Sequence, residues 1–186
     1  FIGVPTPIGV IQMLWINMVM DTLAGLAFSY EVPRIEYMME LPKKKEENII
    51  NKYMLGEILI SGLYSLIICL LFLKLPIINN LFINSDHKMT AFFTLFIFLA
   101  VFNAFNARTE RINIFAHLKE NKPFILILLF IVIVQIAIIY FGFNIFNTTR
   151  ITLLELLIVV LISITIIPVD FLRKYFLKKK NSTFTK

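Results

Sequence analysis

The chain of 186 residues is 59% hydrophobic, contains 19 Phe and has a mean hydropathy of +0.83, well above the roughly 45–50% apolar content of soluble domains. Charged residues make up 16% of it and cluster between long apolar runs, the arrangement produced when charge is kept out of hydrocarbon. The net charge of +6 therefore belongs to residues flanking membrane spans and argues against a nucleic-acid partner, while a single cysteine, Cys69, excludes an internal disulfide or thiolate metal site.

A bilayer crossing needs about 20 mostly apolar residues. Five segments qualify, at 8–29, 54–75, 90–107, 123–143 and 151–171. Lipid offers no hydrogen bonds to the backbone and no barrel-type alternation is visible, so the expected fold class is all-α, a polytopic membrane protein. Pro5 and Pro7 precede the first span, Pro123 opens the fourth, Pro76 closes the second and Pro168 predicts a kink near the end of the fifth. The first residue is Phe, and no basic leader or cleavage site precedes the first span. The chain thus reads as a fragment whose parent has membrane helices upstream.

The first span holds Gln12, Asn17, Asp21 and Thr22, with Gly25 after them. Asn17 and Asp21 are four residues apart, so in an α-helix they share a face and two oxygen donors can converge. A carboxylate at mid-bilayer costs roughly 2.5–3.5 kcal/mol, and such residues mark ion paths or substrate sites. A hard cation such as Ca²⁺ wants about six to eight oxygens, more than this pair supplies, so further ligands must come from other helices. The competing reading is a polar pair that hydrogen-bonds a neighbouring helix for packing alone.

The connection from Glu31 to Lys52 is the longest polar stretch, with Pro33, Pro42 and a basic run at Lys43, Lys44 and Lys45. It reads as a solvated linker or a docking segment for a soluble domain. In the second span Glu57 sits in the first turn, where negative charge suits the helix dipole and the side chain can snorkel to water. Glu155 is read the same way in the fifth span. Gly56 and Gly62 give only a weak signal for close helix approach, because the spacing is not small-xxx-small. Asn103 and Asn106 share a face at the end of the third span and are expected to pack, capping helices or bonding a neighbour, with ion contact the competing reading. Gln135 is the strongly polar residue of the fourth span and predicts an interhelical hydrogen bond. His87 and His117 fall in opposite loops and cannot share a metal. Asp170 and Lys174 form a helix pair expected to contribute only a few tenths of a kcal/mol.

Fifteen of the 18 Lys and Arg residues lie in the connection after span one, the connection after span three and the tail after span five. By the positive-inside rule that side is cytoplasmic, so the N-terminus of the chain lies outside and its C-terminus inside. Nothing resembles a nucleophile with its base, a phosphate-binding loop or a zinc motif.

The segment Gln12-Met-Leu-Trp-Ile-Asn17-Met-Val-Met-Asp21, followed by Glu31-x-Pro33, Met-Glu-Leu-Pro42 and Ile49-Ile50, resembles the sixth transmembrane helix and following loop of calcium-transporting P-type ATPases. Asn103-Ala-Phe-Asn106-Ala-Arg108 is similar to the end of their eighth helix. The resemblance implies that the five spans are helices six to ten and that Asn17 and Asp21 are metal ligands for transported Ca²⁺. It further implies that ATP and Mg²⁺ are bound by cytoplasmic domains of the parent chain, which switch the membrane site through an aspartyl-phosphate. Met20 and Ala100 stand where two-site pumps have a ligating Thr and Glu, which favours the single-site plasma-membrane type and an integral cell-membrane location. The implied partners are the lipid bilayer, the upstream transmembrane helices and the cytoplasmic domains. A self-contained five-span anchor or secondary carrier is the alternative.

Overall fold

Local chemistry marks where each helix starts. In the computed structural model, which describes residues 7–31, 50–109, 112–115, 118 and 120–184, most of the spans open on a side-chain cap that satisfies an otherwise orphaned N–H. The Asn51 side chain accepts from the Met54 N–H at 2.7 Å, Asn84 from His87 at 2.8 Å and Asn121 from Phe124 at 3.0 Å. Thr152 and Glu155 form a reciprocal capping box.

These caps set the order of elements. The first span is α1 (Val10–Leu14), a π-helical segment (Trp15–Met20) and α2 (Asp21–Ser29). The second is α3 (Lys52–Lys74), followed by the short α4 (Pro76–Asn79) with Pro76 in its first turn. The third is α5 (Ser85–Ala107), the fourth α6 (Lys122–Phe141), then the short α7 (Phe143–Phe146). The fifth is split into α8 (Leu153–Ile164) and α9 (Ile166–Phe184). Five helical stretches are long and apolar enough to cross a membrane, and no strand occurs among the described residues.

Several boundaries differ from expectation for identifiable reasons. The third span begins at Ser85 rather than 90, because the Asn84 cap starts the helix and the Lys88 charge is accommodated inside it. Lys88 is buried, and its Nζ donates to the Leu73 carbonyl at 2.9 Å and to Asn79 Oδ1. His87 consequently lies in a helical turn and not in a loop; His117 lies outside the described residues. The fifth span breaks at Thr165, three residues before Pro168. Proline lacks the N–H that would bond the carbonyl four residues back, at Ile164, so the interruption falls there. Gly142 ends α6: a Cβ at this position would meet the Ile138 carbonyl oxygen at 2.5 Å.

The third span is the hub. It packs on the second, fourth and fifth, whereas the first packs chiefly on the fourth. Of its apolar window 67% is buried, against 33% or less in the other spans. The phenylalanines form its contacts: Phe72 meets Phe82 and Phe92 at ring distances of 5.4 and 6.0 Å, and Phe124 meets Phe105 at 5.5 Å and Phe28 at 5.8 Å. Since lipid is as apolar as these rings, what holds the helices together is dispersion and shape, supplemented by polar links. The Gln135 Nε2 donates to Thr94 Oγ1 at 3.4 Å between the fourth and third spans, both residues fully buried. No atom lies within 4 Å of where a Cβ would stand at Gly56 or Gly62, so neither permits a close approach.

Candidate functional site

Asn17 lies inside the π-helical segment and Asp21 directly follows it, with the Asp21 N–H donating to the Ile16 carbonyl five residues back. The pair was expected on one face of a regular α-helix; the wider π winding alters that register. Such π-turns leave backbone geometry less regular and recur at functional sites. The Thr22 hydroxyl donates to the Met18 carbonyl, a local bond that supports a bent or rewound helix. Met20 is buried in the core, whereas the Asn17 and Asp21 side chains are exposed, and no hydrogen bond joins them among the described residues. The two oxygen donors therefore face away from the other four spans. Among the described residues no three His, Cys, Asp or Glu side chains cluster as a metal site, and these two side chains supply fewer than the roughly six to eight oxygens that a hard cation takes.

Both ends of the site helix are tied down. At one end Gln12 is buried; its Oε1 accepts from the Gly9 N–H at 3.0 Å and its Nε2 donates to the Phe146 carbonyl at 2.8 Å. The Trp15 ring stands edge-on to Phe146 at 6.2 Å. At the other end Glu31 accepts from Arg108 Nη1 at 3.2 Å and from Asn121 Nδ2 at 2.7 Å. The rest of the connection, 32–49, lies outside the described residues.

Arg108 is buried, donates from Nη2 to the Ile114 carbonyl at 2.9 Å and lies over the Phe124 ring. Close in the fold to these third-span residues, Asp170, Arg173 and Lys174 are buried together. Asp170 pairs with Arg173 Nε at 2.6 Å and with Lys174 Nζ at 2.7 Å. Lys174 Nζ also donates to the Asn106 and Thr109 carbonyls at 2.7 Å each, and Arg173 meets Glu57 at 3.3 Å and the Tyr53 ring at 4.5 Å. Rather than a simple helix pair, Asp170 and Lys174 belong to a buried network joining the second, third and fifth spans. Asn106 packs as expected, its Nδ2 donating to the Ile166 carbonyl at 3.1 Å.

Glu155 does not snorkel. It is buried, accepts from Thr152 and from the Ile83 N–H at 3.0 Å, and contacts His87 Nδ1 at 2.9 Å. Its role is structural, but as an anchor between the third and fifth spans. The spacing Asp170-x-x-Arg173-Lys174 places both cations on the Asp170 face, a signal from which the cluster was readable. Glu155 and His87, 68 residues apart, offered none.

The polar ties fall into two sets. The end of span one meets the end of three and the start of four, and the start of two meets the end of five. The start of span one meets the end of four, and the end of two meets the start of three. These contacts define an up-and-down helical membrane domain with a polar pair set into one lipid-length helix and turned outward from it.

The chain belongs to the family described as cation transporting ATPase, C-terminus, whose model matches residues 5–176. It is 35% identical over 169 residues to the plasma membrane calcium-transporting ATPase mca-1 of Caenorhabditis elegans, covering 82% of this chain and 13% of that protein. It is 35% identical over 178 residues to the probable calcium-transporting ATPase 6, plasma membrane-type, of Oryza sativa subsp. japonica, covering 89% of this chain and 17% of that protein. With the calcium-transporting ATPase PAT1 of Dictyostelium discoideum it shares 32% identity over 181 residues, 90% of this chain and 16% of that protein. The matched region is thus only 13–17% of the length of these relatives.

Proposed function

We propose that this chain is the C-terminal part of the membrane domain of an ATP-driven calcium pump of the plasma-membrane type. In this reading Asn17 and Asp21 ligate the transported Ca²⁺ together with oxygens from helices of the parent that precede this sequence. The observation that carries it is the outward-facing Asp21 at the end of a π-turn: a carboxylate held in an apolar span, turned away from its own bundle, is arranged for a partner beyond it.

ATP and Mg²⁺ are handled by cytoplasmic domains of the parent through an aspartyl-phosphate, a reading supported by the calcium-transporting ATPases to which the chain is similar. The segment from Glu31 to Lys52 couples to those domains, and the Glu31 contacts with Arg108 and Asn121 transmit load from it to the third and fourth spans. The end carrying Arg108, Arg173 and Lys174 faces the cytoplasm, in the cell membrane. The alternative, a five-span anchor or secondary carrier without ATPase activity, is disfavoured because the relatives described above are calcium-transporting ATPases.

The test is calcium-dependent ATPase activity of the full parent with Asp21→Asn. The substitution keeps the shape and removes the charge, and a loss of at least about a hundredfold in apparent calcium affinity is expected, equivalent to about 2.8 kcal/mol. Unchanged calcium dependence would remove Asp21 from the site.

A further inference from the structure

We propose that Gln12 is a positioning residue for the ion site: it pins the start of the π-turn to the elbow at Phe143–Phe146 and so sets where Asn17 and Asp21 stand. This deepens the reading of Asn17 and Asp21 as calcium ligands and rests on it.

Gln12 is a polar side chain only 7% exposed, and both ends of its amide are used. The acceptor end closes the first turn at Gly9, and the donor end reaches the last carbonyl of α7, 134 residues away. One helical turn on, Trp15 opens the π segment and packs edge-on against the Phe146 ring. Two contacts from one short stretch thus converge on a single residue of the elbow.

The elbow is itself fixed. The Phe146 N–H donates to the Gly142 carbonyl at 2.8 Å, and Asn147 turns the chain in the left-handed region at φ 49°. Thr148 Oγ1 donates to the Ile138 carbonyl at 3.0 Å and the Thr149 N–H to Thr90 Oγ1 at 2.9 Å. The reference point is therefore locked to the fourth span and to the hub helix. A π-turn has one extra residue to distribute along the helix, and its position is decided by what holds its ends. Releasing Gln12 lets that extra residue drift and rotates Asn17 and Asp21 out of register; ligands displaced by even a fraction of an ångström bind poorly.

In the full parent protein reconstituted in vesicles, Gln12→Leu preserves size and removes both hydrogen bonds. The expected result is a rise of about tenfold in the calcium concentration for half-maximal ATPase activity, with maximal rate and phosphoenzyme formed from inorganic phosphate within about twofold of wild type. Loss of folding would instead lower the maximal rate and the phosphoenzyme level together and leave the half-maximal calcium concentration unchanged. Should Gln12→Leu fail to reach the membrane, Phe146→Leu removes the ring facing Trp15 from the other side and is expected to raise the same concentration about threefold. Asp21→Asn run in parallel separates the two ideas. If Asp21→Asn loses calcium affinity while Gln12→Leu and Phe146→Leu keep it, the anchoring role is overturned and the site stands; if Asp21→Asn keeps it, the site itself is overturned.

Discussion

Removing the Asp170 carboxylate while leaving its partners in place should be among the most damaging single changes in the molecule. Asp170 is 3% exposed, Lys174 2% and Arg173 6%, so Asp170→Ala strands two cations that water cannot easily reach. Breaking a buried ion pair from one side typically costs about 3–5 kcal/mol. Two features reduce that: Lys174 keeps the Asn106 and Thr109 carbonyls, and Arg173 keeps Glu57 and the Tyr53 ring. The lower end, about 3 kcal/mol, is expected. For a chain of this size each kcal/mol moves the midpoint by roughly 2–4 °C, so thermal unfolding of the chain in detergent, followed by far-ultraviolet circular dichroism, should show a fall of about 6–12 °C. Replacing Asp170→Leu with Arg173→Met and Lys174→Met removes both stranded cations, leaving only the partly exposed Glu57 carboxylate to lose its Arg173 contact, and should be milder than the single change. A single variant within about 2 °C of wild type, or a triple variant worse than it, would refute the stranded-charge account.

Glu155→Gln loses the charge that accepts from Thr152, Ile83 and His87 and should cost about 2 kcal/mol, read in the same melting assay. Gly142→Ala places a methyl 2.5 Å from the Ile138 carbonyl oxygen; an overpacking loss of about 1–3 kcal/mol is expected, and a neutral result would show that the elbow yields. Gly62→Ala, with no atom within 4 Å of the added carbon, should by contrast stabilise the second span by up to about 1 kcal/mol through helix propensity.

What could be read from residue order alone follows from the physics that dominates each feature. A run of about 20 apolar residues has one low-energy answer in lipid, so the five spans and their alternation were evident. Caps at Asn51, Asn84 and Asn121 are open to reading from side-chain chemistry, whereas the five-residue extension of the third span back to Ser85 depends on Leu73 and Asn79 accepting from the Lys88 ammonium. The π-turn left no trace, since no residue type demands it and its register depends on contacts at Phe146, far along the chain. Asp170, Arg173 and Lys174 were visible as neighbours on a helix face, but their burial depends on Tyr53, Asn106 and Thr109 from two other spans. Asn17 and Asp21 stood out because charge in an apolar run is costly wherever it occurs. Which way they faced was a property of packing.

The central position of the third span has a consequence for biogenesis. Spans enter the bilayer in chain order, and the first finds its main neighbour only in the fourth, while the second has little to hold until Ser85–Ala107 arrives. A nascent chain halted after Lys74 should therefore hold its first two spans without the neighbours they keep within this chain, leaving only helices encoded ahead of them to shield their apolar faces. Synthesis through Phe141 is the earliest stage at which each of the first four spans has met a neighbour it keeps within this chain.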